Sequence, residues 1–400
     1  MNNIRKLTDS LFWVGINDRR IALFENVYPV PTGMSYNSYV LLDEKTALFD
    51  TVDASFTHDF LENVTAALKG RTLDYLIVNH MEPDHCASIA DVIAVYPEAK
   101  IVCTAKAVGM MKQFFDFDVD SRAILVKEGD TISLGSHELT FVMAPMVHWP
   151  EVMVTYEKTE KILFSADAFG SFGAVDGNIF ADEIDDKVAW LSEARRYYTN
   201  IVGKFGMSVQ GLLKKAAGLE IRMICPLHSV IWREDLPWLI DKYLKWSSYT
   251  PEEKSVTIAY GSVYGHTEKA ADILAGKLAD RGIRHISVFD VSKTHPSYII
   301  ADAFRTSAIV FASITYNGGI FCNMDTLLHQ LAAHGLTNRT AALIQNGTWA
   351  ATTSKQMGEI LGTMKNIHVL ESDVTIKSAL KDNQEAELDA LADTIAASLQ

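Results

Sequence analysis

His80-Met81-Glu82-Pro83-Asp84-His85 packs four metal-capable side chains into six residues. The run before it, Leu73-Asp74-Tyr75-Leu76-Ile77-Val78-Asn79, reads as a buried β-strand, so the hexapeptide sits at that strand's C-terminal end. Alternate residues of an extended chain face the same way, which lets His80 and Glu82 share one metal ion. The chain turns at Pro83, which lets Asp84 and His85 face a second.

The same placement returns three times. Residues 139–143 read as a strand that runs into Ala144-Pro145-Met146-Val147-His148-Trp149-Pro150-Glu151, with His148 in a loop between two prolines. Residues 161–165 deliver Asp167, and residues 219–224 deliver Cys225-Pro226-Leu227-His228. Together His80, Glu82, Asp84, His85, His148, Asp167 and His228 supply four imidazoles and three carboxylates, enough for two metals if one carboxylate bridges. No thiolate belongs to the set. Imidazole with hard oxygen suits non-haem iron or manganese, and zinc also accepts it. His58, His137, His266, His285, His295, His329, His334 and His368 lack the strand-end placement and read as ordinary packing or surface residues.

A chain of 400 residues suggests two or more domains. The net charge of −14 argues against a nucleic-acid partner, whose phosphates require Lys and Arg. Neither a secretory leader nor a long apolar run is present, so a cytoplasmic protein is expected. The cysteines, Cys86, Cys103, Cys225 and Cys322, form no C-x-x-C pair, which disfavours a disulfide framework or a rubredoxin-type iron site.

Residues 1–250 read as one domain. Short strands are expected at 11–14, 21–24, 38–42 and 46–50, and helices at 55–69, 88–96 and 105–115. Strands at 101–104, 123–126 and 131–134 complete a pattern of helices laid over mixed sheets. Residues 251–400 reset to clean strand–helix alternation. The strand 256–260 ends in Gly261-Ser262-Val263-Tyr264-Gly265-His266-Thr267, and a helix is expected over 268–278. A short Gly and hydroxyl loop feeding a helix N-terminus is a phosphate site, with Ser262 and Thr267 as side-chain donors. The loop has neither the dinucleotide nor the P-loop glycine spacing. Asp290, ending the next strand, leaves NAD as a weak alternative. Two more strand ends lead to Ser313-Ile314-Thr315-Tyr316-Asn317-Gly318-Gly319 and Asn346-Gly347-Thr348-Trp349-Ala350. Ligands of open parallel sheets lie at such ends, where Tyr316 and Trp349 could sandwich a flat ring.

The order His-x-Glu-x-Asp-His, then His, Asp and His at strand ends, resembles the metallo-β-lactamase fold. Glu82 in place of the histidine of most hydrolytic members, with Val147-His148-Trp149-Pro150 and Asp167-Ala168-Phe169-Gly170, resembles the flavodiiron proteins. The second half resembles flavodoxin. The resemblance implies an αββα sandwich joined to a five-stranded parallel sheet that binds FMN through Ser262–Thr267 and the two later loops. It implies one iron on His80, Glu82 and His148, another on Asp84, His85 and His228, and Asp167 as the bridge. Three departures from the family pattern stand out: Cys86-Ala87 where Ser-Gly is usual, Ser229 where Gly follows the last histidine, and Thr348 where Gly is frequent.

The implied activity is reduction of O₂ to water, NO to N₂O, or both, with two electrons from a diferrous pair and two from reduced FMN. The implied assembly is a head-to-tail homodimer or a dimer of dimers. Electrons are expected from a separate donor: rubredoxin, a reduced deazaflavin or an NADH-dependent reductase. Two rivals stand beside this reading. One is a two-zinc hydrolase with a fused flavodoxin, the other a plain flavodoxin electron carrier.

Overall fold

The computed structural model describes residues 1–399. The chain divides into two compact units. Met1–Tyr198 with Met207–Leu244 form the first; Thr199–Gly206 with Lys245–Gln400 form the second. The division falls inside the helix Leu236–Ser247. Thr199–Gly206 joins the second unit through bonds such as Tyr249 Oη to the Gly203 carbonyl at 2.8 Å.

The first unit holds two sheets. One has seven strands in spatial order Arg5–Lys6, Leu11–Trp13, Tyr39–Leu42, Thr46–Phe49, Tyr75–Ile77, Lys100–Cys103 and Ala123–Leu125. Its last four strands are parallel, and Leu48, Phe49, Leu76, Ile77, Ile101 and Val102 are all fully buried. Parallel strands covered on both faces read as unbroken apolar runs, which is why these were visible in the sequence. The other sheet runs Thr131–Ser133, Glu138–Met143, Met153–Glu157, Ile162–Phe164 and Met223–Cys225. The two sheets pack face to face: Phe49 stacks on Phe164 with ring centroids 3.8 Å apart. Helices Thr57–Leu68, Ile89–Val95 and Ala105–Phe114 accompany the first sheet; Lys187–Tyr197, Gly206–Ala216 and Leu236–Ser247 follow the second in the chain.

The second unit is a doubly wound sheet in the order Ile286–Asp290, Glu253–Gly261, Thr306–Tyr316, Arg339–Asn346, Ile367–Ile376, all parallel. Helices His266–Asp280 and Glu385–Ser398 bury Leu274, Leu278, Leu391 and Ile395 on one face. Helices Pro296–Arg305, Cys322–Ala333 and Thr353–Leu361 bury Phe304, Leu327 and Met357 on the other. A short sixth strand, Gly319–Ile320, turns back antiparallel on the central strand. That strand runs on to Tyr316, so Ser313 and Thr315 belong to it rather than to a loop. Asn317 and Gly318 make the turn, both at positive φ, +48° and +76°, as a two-residue Asn-Gly hairpin requires. Among the described residues no helix is long and apolar enough to cross a membrane.

Candidate metal centre

The strand Tyr75–Ile77 ends two residues before the hexapeptide, and Pro83 opens a single helical turn, Pro83–Cys86. His80 and Glu82 therefore leave from extended backbone, Asp84 and His85 from the turn. Glu138–Met143 leads to His148, Ile162–Phe164 to Asp167, and Met223–Cys225 to His228. All seven side chains converge, and all are buried, with His80, His85, Asp167 and His228 fully inaccessible.

They sort into two groups around Asp167. In the first, His148 Nε2 lies 3.0 Å from both Glu82 Oε2 and Asp167 Oδ2. His80 Nε2 lies 3.3 Å from Glu82 Oε2 and 3.4 Å from Asp167 Oδ2. In the second, His85 Nε2 lies 3.2 Å from Asp84 Oδ2 and 3.3 Å from Asp167 Oδ1. His228 Nε2 lies 3.0 Å from His85 Nε2 and 3.4 Å from Asp84 Oδ2. Separations near 3.0–3.4 Å are those between neighbouring ligands of one ion with bonds of about 2.1 Å. Each Asp167 oxygen faces a different group, the disposition of a bridging carboxylate.

Satisfaction of polar atoms tests whether metals fit. Both oxygens of Asp84 and both of Asp167 are buried and accept no properly directed hydrogen bond. Such atoms cost about 1–3 kcal/mol each, and more when charged, unless a cation meets them. Burial pushes Asp84 up to about 7 and His228 down to about 3. Burial would also lift Asp167, but His80 and the neighbouring imidazoles hold it far below its usual value. Against burial, the carboxylates in turn hold His80, His85 and His148 above their ordinary values, so this set demands positive charge at one point.

The rings are fixed from behind. His80 Nδ1 lies 2.8 Å from Glu151 Oε1, which also accepts the Met81 N–H at 2.8 Å. His228 Nδ1 donates to the Ser35 carbonyl at 2.7 Å. Each bond turns Nε2 toward the centre in its metal-binding tautomer. Aromatic rings wall the site. Trp149 stands edge-on to His80 at 5.4 Å, and Phe24, Tyr36 and Tyr197 surround His228 at 5.6, 6.0 and 5.4 Å.

The model of the ODP family beta-lactamase matches residues 34–229. An anaerobic nitric oxide reductase flavorubredoxin of Escherichia coli is 30% identical over 352 residues, 86% of this chain and 72% of that protein. The chain belongs to the flavodiiron protein family. Rubredoxin:oxygen oxidoreductase of Desulfovibrio gigas superposes with a TM-score of 0.91 at 28% identity, over 99% of this chain and 98% of that one. The flavodiiron protein of Giardia intestinalis superposes with a TM-score of 0.93 at 26% identity, over 100% and 98%.

In this flavodiiron chain the three strand ends of the second unit gather the predicted flavin residues. Gly265, at φ +87°, precedes the helix His266–Asp280, and its N–H donates to Ser262 Oγ at 3.1 Å. Asn346 Nδ2 reaches Thr267 Oγ1 at 3.3 Å, while the buried Asn346 Oδ1 accepts nothing. Ser313, Thr315 and Gly319 lie along the central strand and its hairpin. A Cβ on Gly347 would meet the Ala350 carbonyl oxygen at 2.0 Å, so that loop needs its glycine. Tyr264, Tyr316 and Trp349 are 87%, 47% and 95% exposed, and Val263 is 40% exposed. Large apolar side chains so open to water at a sheet's C-terminal edge suit a flat ring ligand. Thr348, the departure from Gly, has its hydroxyl 3.2 Å from Ser378 Oγ.

Sequence reasoning missed Glu151, Ser35, Tyr36 and Tyr197. Glu25 lies on the hairpin Leu23–Phe24/Tyr28–Pro29, whose Phe24 borders the centre. Although Glu25 is exposed as a residue, burial of its carboxyl and the Glu82 charge push it up to about 8.

Proposed function

We propose that this chain is a flavodiiron oxidoreductase that reduces O₂ to water, NO to N₂O, or both. The observation that carries it is Asp167, with one oxygen turned to each of two buried ligand groups. In this reading His80, Glu82 and His148 hold one iron and Asp84, His85 and His228 the other, bridged by Asp167. FMN sits on Ser262, Val263, Tyr264, Gly265, His266 and Thr267, on Ser313, Thr315, Tyr316, Asn317, Gly318 and Gly319, and on Asn346, Gly347, Thr348, Trp349 and Ala350. Residues 1–250 then form the di-iron domain and 251–400 the flavin domain.

When bound, the irons and flavin supply the four electrons that O₂ needs with four protons, or the two that a pair of NO molecules needs with two protons. The chain's own side chains set the conditions. Glu151 and the Ser35 carbonyl hold the tautomers of His80 and His228. Phe24, Tyr36, Trp149 and Tyr197 exclude water from the face where a small apolar gas would enter. The Glu25 carboxyl stands beside Glu82, and burial together with the Glu82 charge raises its pKa.

The hydrolase alternative finds no support in the relatives, which are reductases and an oxidoreductase by name. A rubredoxin donor, a cytoplasmic setting and a head-to-tail dimer complete the proposal. A deazaflavin or an NADH-dependent reductase is the competing donor. A forced monomer keeps iron and FMN but loses turnover; full activity in a monomer refutes the dimer.

The test is anaerobic stopped-flow oxidation of the fully reduced, metal-quantified protein by O₂ and by NO in parallel. Fast flavin and iron oxidation by O₂ without peroxide marks an oxidase, and fast N₂O formation marks an NO reductase. Inertness to both gases, with thioester hydrolysis by a zinc form, overturns the proposal.

A further inference from the structure

A third cluster lies at the far end of the same sheet. His137 sits at the start of Glu138–Met143, Glu157 ends Met153–Glu157, and Glu160 lies in the next turn. Leu139 pairs with Glu157 and Met143 with Met153, so this cluster is four residues, about 14 Å, along the strand from the end that leads to His148. His137 is 7% exposed and Glu157 is fully buried. One ligand atom from each of His137, Glu157 and Glu160 falls within 4.8 Å of the others.

The cluster is built. The His137 N–H donates to Asp43 Oδ2 at 2.6 Å, which pins its backbone. Glu157 accepts the Thr159 N–H at 2.8 Å and the Glu160 N–H at 2.7 Å. Glu160 Oε2 accepts Thr8 Oγ1 at 2.8 Å and Ser10 Oγ at 3.4 Å. His137 Nδ1 lies 3.0 Å from Glu157 Oε1 without a well-directed hydrogen bond, and the carboxylate beside it holds the imidazole above its ordinary pKa. That separation also suits two neighbouring ligands of one ion with bonds of about 2.1 Å.

We propose that His137, Glu157 and Glu160 form a third metal site, separate from the di-iron centre, for a divalent ion of the Zn²⁺ class. One imidazole and two carboxylates make such a donor set, and three protein ligands leave at least one position to water. The ion clips the turn before Glu138 to the turn after Glu157 and, through Glu160, to the Thr8–Ser10 segment.

The test uses holoprotein loaded with iron and FMN and dialysed anaerobically against graded Zn²⁺. Zinc, iron and flavin are counted in one sample. The expected result is one zinc per chain beyond the iron complement, with iron and flavin unchanged. Glu160→Gln, at a partly exposed position that should fold normally, weakens zinc binding about tenfold or more, and His137→Gln abolishes it. Zinc raises the thermal midpoint of the wild type and not of Glu160→Gln. A plain His137–Glu157 ion pair predicts no saturable extra zinc, and that result overturns the site. Zinc gained only as iron is lost, or retained in full by both variants, overturns it equally.

Discussion

Glu151→Gln isolates how much of the centre's metal affinity comes from behind the ligands. One oxygen, Glu151 Oε1, meets both His80 Nδ1 and the Met81 N–H, each at 2.8 Å. The side chain is fully buried. Burial alone would raise its pKa, but the His80 ring holds it below the usual value, so it works as a carboxylate. A glutamine can set its amide oxygen in the same place and keep both contacts. It loses the charge, and a charge-assisted hydrogen bond is roughly twice as strong as a neutral one. At about 1 kcal/mol for each of two bonds the loss is about 2 kcal/mol, or about 30-fold in affinity. Glu151 Oε2 accepts nothing at present, so the new NH₂ would be a buried donor without a partner and adds to the cost. The effect should be confined to the group His80, Glu82 and His148, because Glu151 touches no ligand of the other. Anaerobic competition with a chelator, followed by Mössbauer spectroscopy of ⁵⁷Fe-loaded protein, separates the two irons. One doublet should titrate about 30-fold earlier than in the wild type while the other keeps its affinity. Affinity within twofold of wild type, or equal loss of both irons with the fold intact, refutes the reasoning.

Three other changes probe the second unit. Trp349→Ala removes a 95% exposed ring, so it should leave folding alone and weaken FMN binding by about 1–2 kcal/mol, read as a five- to thirtyfold rise in Kd by flavin fluorescence. Arg339→Met orphans the carbonyls of Ala303, Phe304 and Tyr249, which the buried guanidinium now satisfies; urea unfolding should show a loss of about 3–5 kcal/mol. His334 is held neutral by burial, its pKa below 6.5, with Nδ1 on the Gln330 carbonyl at 2.7 Å. The unfolded chain therefore takes up a proton that the folded chain refuses, and stability falls as pH drops through about 6.5 until the depressed folded pKa is reached. His334→Gln should flatten that slope in urea midpoints measured between pH 5 and 7.

The seven candidate ligands were legible because each follows a strand rich in apolar residues, and such strands announce their own ends. Glu151 was not legible as a ring holder, although it stands three residues after His148. Its role depends on a loop meeting His80 from 71 positions away. Ser35 acts through a backbone carbonyl, which carries no sequence signal at all. The strand Met153–Glu157 escaped because Thr155 and Glu157 interrupt its five buried residues, so it shows neither an unbroken apolar run nor a clean alternation. The helix Lys187–Tyr197 follows a long irregular stretch, and its one start signal is Asp186, whose Oδ1 accepts the Ala189 N–H at 2.9 Å. The Asn317-Gly318 turn was readable by its residue types, but it closes a hairpin only because Thr315 pairs with Ile320.

The departures from the family pattern become intelligible once the neighbours are seen. Ser229 keeps the left-handed backbone of the glycine it replaces, at φ +65°, at a strain of about 1–2 kcal/mol. Its hydroxyl accepts the Trp190 indole N–H at 3.1 Å, and its own N–H reaches Ser35 Oγ. One bond from a nearly buried indole returns about 0.5–1.5 kcal/mol, enough to offset most of that strain. Ser35 thus holds Ser229 by its side chain and His228 by its carbonyl, so the substitution leaves the ligand's tautomer untouched. Cys86 behaves likewise. It is fully buried, its thiol points at the Met81 carbonyl at 3.2 Å, and burial pushes it up to about 12. A neutral thiol turned to the backbone competes for no metal. Both changes are absorbed one layer outside the seven proposed ligands, in a chain whose relatives share under a third of its residues.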